Sequence, residues 1–472
     1  MRRLPLLLLL NAVFLPVLLT ASFLPAETPR TLRLDYYHTG GLTPESFSLD
    51  RVVLEPLPWP GNPAQPFDTT NLGNYFFEVR DKASGKLLYS RGFSSIYGEW
   101  VTTEEAKTAS RSFSESLRFP APEKPVEIAI FERDANNRFV PAWRTVVDPS
   151  ASTVDRATPP SAGALIPLMK NGDSAYKVDF LILGDGYTAA ERGKCEADAR
   201  RLSAILFKTP PFAQHEKDFN VWLLCPASAE SGISRPSIGV YRRSAVGASY
   251  DSFGSERYVL TTENRTLRDL ASQAPYEFLE IVTNSQTYGG GGIYNLYSTV
   301  AAGNLFAPYV FVHEFGHHFA GLADEYYTSD IAYETEARKV EPWEPNVTAL
   351  LDPSVLKWKD LVEASTPLPT PWAKAEYEAY SQEVQAKRHA IRQKNLPEAE
   401  MEKLFAEEKK TETKLLHSGP YAGKVGAFEG ANYLAKGYYR PQTDCIMFTR
   451  SENFCRVCQR AIERIVALYT AQ

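Results

Sequence analysis

The amino-acid sequence predicts an α+β protein, with an antiparallel β-sandwich followed by an α/β unit that carries a helical insertion. Three observations point there. Short stretches of alternating polarity, separated by turn residues, fill residues 30–149. From about Tyr176 an apolar strand, a capped helix and a second apolar strand follow one another, as in an α/β unit. Between Trp372 and Leu416 the chain is dense in Ala, Glu, Lys and Gln, a helical composition. At 472 residues the chain is also too long for one compact core.

Taken in order, the chain opens with Arg2 and Arg3, an apolar run from Leu4 to Leu24, and small residues ending at Ala26. A basic start, an apolar run and small residues read as a cleaved secretory signal over residues 1–26. Pro5 and Pro16 would disturb a membrane-spanning helix, and no other segment is apolar enough to cross a bilayer. The expected location is therefore secreted or periplasmic, with no stable membrane insertion once the signal is removed. A formal net charge of -6 argues against nucleic-acid binding, which needs a basic surface.

The sandwich is expected over residues 27–150. Thr31-Leu32-Arg33-Leu34-Asp35-Tyr36-Tyr37, the runs beginning at Asn74 and Lys86, and Val126-Glu127-Ile128-Ala129-Ile130-Phe131-Glu132 alternate with a period of two. Turns such as Asp81-Lys82-Ala83-Ser84-Gly85 separate them, and about seven strands fit. Nothing in this region has the look of chemistry. Ser150 to Gly163, rich in Ser, Thr, Ala and Pro, reads as a linker.

A second domain is expected over residues 164–472. Val178-Asp179-Phe180-Leu181-Ile182-Leu183 is a buried strand. Thr188 followed by Glu191 fits a capping box for a helix running to about Phe207, where Pro210 and Pro211 stop it. Phe219 to Leu224 and Phe278 to Val282 are further strands, the latter leading into Gly289 to Gly292. That glycine run precedes either a flexible loop or a strand whose edge can pair with an extended peptide. The 372–416 stretch reads as two polar helices broken at Asn395-Leu396-Pro397, their charge forming a solvated face.

Five cysteines in an exported chain leave at least one without a disulfide partner. Cys455-Arg456-Val457-Cys458 has metal-ligand spacing, but no second pair is present to complete a zinc tetrathiolate. A disulfide from Cys445 to Cys455 or Cys458 is the expectation.

His313-Glu314-Phe315-Gly316-His317 is the sharpest signal. On a helix, residues four apart share one face, so His313 and His317 can present imidazoles to one Zn2+. Glu314, about 100° round from His313, is placed to act as general base on an attacking water. Gly321 can adopt the left-handed conformation that ends the helix and returns the chain, which brings Asp324, or its neighbour Glu325, back as an oxygen ligand. The shorter Asp324 suits the tight return better. His318 points away around the helix and reads as a packing or supporting residue.

The segment from His313 to Tyr327 resembles the signature of the IgA peptidase family of zinc metallopeptidases. The likeness extends to Leu183-Gly184-Asp185-Gly186-Tyr187-Thr188, Glu344-Pro345-Asn346-Val347-Thr348 and Phe428-Glu429-Gly430-Ala431. It continues through Gly437-Tyr438-Tyr439-Arg440-Pro441 and Cys445-Ile446-Met447 to Phe454-Cys455-Arg456-Val457-Cys458. The preceding β-region is similar to the N-terminal domain often found in this family. The resemblance implies a metzincin-like catalytic domain with one catalytic Zn2+ and a polypeptide substrate, with residues 372–416 as an insertion. It also makes Met447 a candidate for the methionine turn beneath the metal, the alternative being an ordinary core methionine. Tyr326, Tyr438, Tyr439 and Arg440 are candidates for stabilising the tetrahedral oxyanion.

Overall fold

The computed structural model describes residues 28–328 and 340–470, so the expected signal segment lies outside the described residues. The first unit is built from β1 (Arg30–Gly41), β2 (Ser46–Pro58), β3 (Tyr75–Asp81), β4 (Leu87–Phe93), a short helix α1 (Ile96–Trp100), β5 (Ser110–Pro120), β6 (Val126–Arg133) and β7 (Phe139–Val147). These seven strands form two antiparallel sheets, ordered β2-β1-β5 and β4-β3-β6-β7. Alternation decides what each strand buries. Tyr75, Phe77 and Val79 of β3 meet Leu32, Leu34 and Phe119 of the other sheet in one core, while Phe76, Glu78 and Arg80 turn partly outward.

β1 is buried on both faces, and its polar residues show why. Arg33 bonds to Asp35 and Glu55 of its own sheet and to Asp269 of the second unit. Arg118 on β5 donates to the Tyr276 carbonyl at 2.8 Å and lies over the Tyr276 ring. The outer face of the three-stranded sheet thus meets the second unit through charged groups that are paired with one another.

The connection between the units is held at both ends. Asp155 pairs with Val52 and Leu54 backbone groups of β2, and the Ala162 amide donates to Gln273.

The second unit contains β8 (Ile166–Met169), β9 (Val178–Asp185), α2 (Arg192–Leu206), β10 (Phe219–Leu224), α3 (Asn264–Ala271), β11 (Phe278–Thr283), β12 (Gly290–Ile293), β13 (Tyr297–Ala301) and α4 (Ala307–Ala320). Its sheet is ordered β12-β13-β11-β9-β10-β8, with a parallel centre and antiparallel strands at both edges. A period of two sorts the central strands between two layers. Phe180, Ile182, Phe278 and Val282 face a core shared with α2 and α4. Leu181, Leu183, Leu279 and Ile281 face α3. The predicted capping box is present: Glu191 accepts from the Thr188 amide at the start of the turn that leads into α2.

The chain closes with α5 (Lys374–Gln393), α6 (Glu398–Leu416), the hairpin β14 (Phe428–Ala431) and β15 (Leu434–Arg440), and α7 (Arg456–Thr470). The helices α5 and α6 occur where sequence placed them, but their charge is not all solvated. Glu408 and Glu412 of α6 are buried, and Glu408 pairs with Arg450, whose guanidinium lies 3.6 Å from the Phe405 ring centroid. Met401 and Phe405 dock the pair on the body, and Arg450 neutralises Glu408 at that contact.

The disulfide expectation is also corrected. Cys195 of α2 is bonded to Cys225 after β10, whereas Cys445, Cys455 and Cys458 carry free thiols. The Cys445 and Cys458 sulfurs stand 3.8 Å apart, against about 2.05 Å for a bond. Among the described residues, no helix is long and apolar enough to cross a membrane.

Candidate metal centre and its cleft

Helix α4 presents His313 and His317 on one face, as the four-residue spacing requires. It ends at Gly321, whose φ of 60° and ψ of 33° are left-handed; a Cβ there would also stand 2.8 Å from the Trp343 ring. Beyond Gly321, adjacent side chains find different partners. Asp324 returns to the two imidazoles. Glu325 turns the other way, where its Oε1 accepts from Asn346 at 3.0 Å.

Three atoms converge. His313 Nε2 and His317 Nε2 are 3.1 Å apart, and Asp324 Oδ1 lies 3.1 Å from the first and 3.2 Å from the second. The other ring nitrogens fix the tautomers, because a carbonyl can only accept. His313 Nδ1–H donates to the Ile446 carbonyl at 2.8 Å, and His317 Nδ1–H donates to the Leu322 carbonyl at 2.5 Å. In the neutral form of each ring, the Nε2 lone pair then aims at the same point as Asp324 Oδ1. A tetrahedral zinc with ligands near 2.0 Å has edges of about 3.3 Å, close to this triangle. The donor set fits a divalent cation, with a fourth position open.

Electrostatics follow the geometry. Burial lifts the Glu314 carboxyl above the ordinary carboxylate range, opposed by His313 and His317. Burial pulls the His317 imidazole down, but the Asp324 carboxylate more than compensates and raises it to about 9. For Asp324, burial is outweighed by His317 and His313, which hold the carboxyl well below its usual value. His318, by contrast, is pushed down to about 3 by burial; its Nδ1–H donates to the Ile293 carbonyl and its Nε2 accepts from the Leu279 amide. It ties α4 to the sheet and takes no part in the triangle.

The triangle sits on the floor of a cleft of about 270 Å³. Glu314, His317 and Asp324 line it together with Tyr326, Tyr433 and Arg257. The edge strand β12 borders it through Gly292, where a Cβ would fall 2.2 Å from the Glu314 carbonyl, so only glycine lets the strand lie against α4. The outer side of that strand is partly covered, because Tyr258 bridges to Gly290. The far bank comes from the first unit, through Asn74 and Ser94 and through Gly98 and Glu99 of α1.

Two lining residues carry no signal in the sequence. Tyr433 stands in the turn between β14 and β15, where Asn432 and Tyr433 have φ of 50° and 65°. A tyrosine in the left-handed region is strained, so the surroundings must hold it there. Three contacts do: the Asn432 amide donates to the Asp324 carbonyl, the Tyr433 amide to the Tyr326 carbonyl, and the Tyr433 hydroxyl to Asp324 Oδ2 at 2.5 Å. Arg257 donates to the Tyr326 hydroxyl at 3.1 Å and faces its ring.

Met447 is buried under α4, with its sulfur 3.2 Å from where a Cβ on Gly316 would stand, and its carbonyl accepts from the Glu325 amide. Tyr326 is in the cleft. Tyr439 and Arg440 are not among the cleft-lining residues. The Tyr439 backbone pairs with Thr348, and Arg440 is fully buried between the Trp372 and Phe448 rings while donating to the Gly430 carbonyl. Tyr438 lines a neighbouring depression rather than the cleft.

Residues 22–144 match a family model described as Peptidase M64 N-terminus, and no curated protein matches the chain. Residues 166–466, which hold the triangle, Glu314 and the Met447 turn, match the model described as IgA Peptidase M64. With well over half of its length matched, the chain belongs to the IgA Peptidase M64 family and is a peptidase.

Proposed function

We propose that this chain is an exported, zinc-dependent endopeptidase with His313, His317 and Asp324 as metal ligands and Glu314 as general base. The observation that carries the reading is the convergence of two imidazole Nε2 atoms and a carboxylate oxygen on one point, beside Glu314 in a cleft. In this reading residues 27–150 are a β-sandwich domain and residues 164–472 a metzincin-like catalytic domain, with 372–416 inserted and Met447 as the floor beneath the metal.

When bound, zinc polarises a carbonyl and lowers the pKa of a water towards about 7. Glu314 accepts the proton of the attacking water and delivers it to the departing amine. Its burial suits both halves of that task, since a carboxyl raised above its ordinary range holds a proton more readily between the two steps. Tyr326, backed by Arg257, supplies a hydroxyl beside the negative charge that develops on the carbonyl oxygen, while the Tyr433 hydroxyl, donated to Asp324 Oδ2, steadies that ligand. His313 and His317 are kept in the ligating tautomer by the Ile446 and Leu322 carbonyls. An extended peptide crossing the cleft runs between β12 and α1, so both units touch it.

The test is zinc content and peptide-library cleavage of the wild type and Glu314→Gln. Zinc is expected to stay and kcat to fall by about 10²–10⁴-fold, the usual worth of a positioned base. Retained zinc with undiminished cleavage would remove Glu314 from the mechanism.

A further inference from the structure

Three cysteines remain after the Cys195–Cys225 disulfide, and the fold gathers all three. Cys445 lies in the turn before Met447, and Cys455 and Cys458 stand at the start of α7. With Glu325 they form a cluster whose four donor atoms all lie within 4.8 Å of one another. None of the four residues is more than 4% exposed.

We propose that Glu325, Cys445, Cys455 and Cys458 bind a second zinc ion in a closed, structural site, directly behind the catalytic centre. The spacing is that of ligands around one ion. Tetrahedral zinc with sulfur ligands at about 2.3 Å has sulfur–sulfur edges of about 3.8 Å, and sulfur–oxygen edges of about 3.5 Å. Cys445 Sγ to Cys458 Sγ is 3.8 Å, and Cys458 Sγ to Glu325 Oε1 is 3.4 Å.

Independent features point the same way. Glu325 Oε2 is buried with no hydrogen-bond partner, which is costly for a carboxylate unless a cation compensates it. Backbone amides are turned onto the sulfurs. Cys455 N–H and Met447 N–H donate to Cys445 Sγ at 3.2 and 3.5 Å, and Cys458 N–H donates to Cys455 Sγ at 3.5 Å. Thiolates accept such bonds better than thiols do, and the N-terminus of α7 favours the thiolate further. Three thiolates and a carboxylate around one dication leave a net charge of about -2, which the buried Arg440 guanidinium, with two nitrogens unsatisfied, partly offsets.

A thiolate-rich tetrahedral set selects zinc among the common divalent ions, and four protein donors leave no position for water. The ion is therefore structural, and its location says what it holds. The Glu325 amide donates to the Met447 carbonyl, and Ile446, between Cys445 and Met447, supplies the carbonyl that orients His313. The second ion clamps the segment that carries Asp324 to the turn that sets the His313 tautomer. It also accounts for the odd cysteine count without an idle thiol.

The test uses the full-length protein purified without reductant or chelator. Metal content is measured for the wild type and for the His313→Ala/His317→Ala double variant, with zinc X-ray absorption on the latter. The expected result is two zinc ions per chain falling to one, the remaining ion having sulfur neighbours at about 2.3 Å. Adding Cys455→Ser and Cys458→Ser should then remove that ion as well. Because this last variant can fail to fold, the absorption spectrum of the histidine variant decides the matter without it. The proposal is overturned if that variant holds no zinc, if its zinc has no sulfur neighbour, or if peptide mapping of the native protein finds Cys445 joined to Cys455 or Cys458. Failure of the catalytic assignment reads differently: the wild type would hold the sulfur-bound ion alone.

Discussion

Asp324 and Glu325 are neighbours in the chain, yet they face opposite sides of it. Asp324 joins two imidazoles on the floor of a cleft, and Glu325 joins three thiols in a sealed interior. The first group offers three donors and opens to a substrate; the second offers four and opens to nothing. Donor number and access decide what a zinc ion can do, because a vacant coordination position is what lets the metal act on water or a carbonyl. Two donor groups thus arise on one short segment, and the same turn, residues 445–447, touches both.

The largest expected effect separates the two by access. Brief treatment with a chelator should remove the cleft ion first and lower cleavage by about three orders of magnitude or more, as loss of metal activation implies. Metal content and activity followed over time check it, and simultaneous loss of both ions would dissolve the distinction. Next is Tyr433→Phe. It removes the hydroxyl that Asp324 Oδ2 accepts from, and losing such a supporting bond typically costs about 10–100-fold in metal affinity or activity. Competition titration should show the loss at the cleft ion alone.

A third change acts through the backbone. Gly292→Ala would push a methyl group into the Glu314 carbonyl, and relief of such overpacking costs about 1–3 kcal/mol. Melting temperature and activity should both fall while the sulfur-bound ion remains. If β12 yields without loss, its glycines do not set its distance from α4.

The smallest effect is expected far from both groups and calibrates them. His38, stacked on Tyr97, hydrogen-bonds Glu115 and Glu45; burial opposes its charge, but the two carboxylates win and raise its pKa. A raised folded-state pKa means stabilisation that is complete below about pH 6.5 and is lost as pH climbs through the raised value. The worth is about 1.4 kcal/mol for each unit of rise. Melting temperature against pH for wild type and His38→Gln should therefore converge at alkaline pH and diverge below neutrality.

Much of this was legible in one dimension because it is local. The His313–His317 spacing, the Thr188–Glu191 box, the left-handed Gly321 and the alternation of β1 and β3 each require only neighbours in sequence. The open choice between Asp324 and Glu325 turned on which of two adjacent side chains faced the imidazoles, a one-residue matter that no periodicity records. Arg257 and Tyr433 reach the cleft from widely separated positions in the second unit, so nothing at either position announced the meeting. Tyr439 and Arg440 sit close to Tyr433 in the chain, but strand geometry carries them away from the cleft into the β14–β15 hairpin and its aromatic packing. Charges on α6 looked solvated because Arg450, which buries Glu408, comes 42 residues later. The thiol pairing failed for the same reason, since Cys195 and Cys225 are brought together by the crossover from α2 to β10.

The short helix α1 has a last implication. It belongs to the sheets that hold none of the reacting groups, yet Glu99 receives the Tyr258 hydroxyl and Gly98 faces the opening. Cutting the β-sheets away would not liberate a smaller enzyme; it would leave a canyon with one rim missing. If substrate lies in the cleft as proposed, its selection falls to both units, and exchanging the front portion between relatives would alter which peptides are admitted without touching the candidate metal ligands.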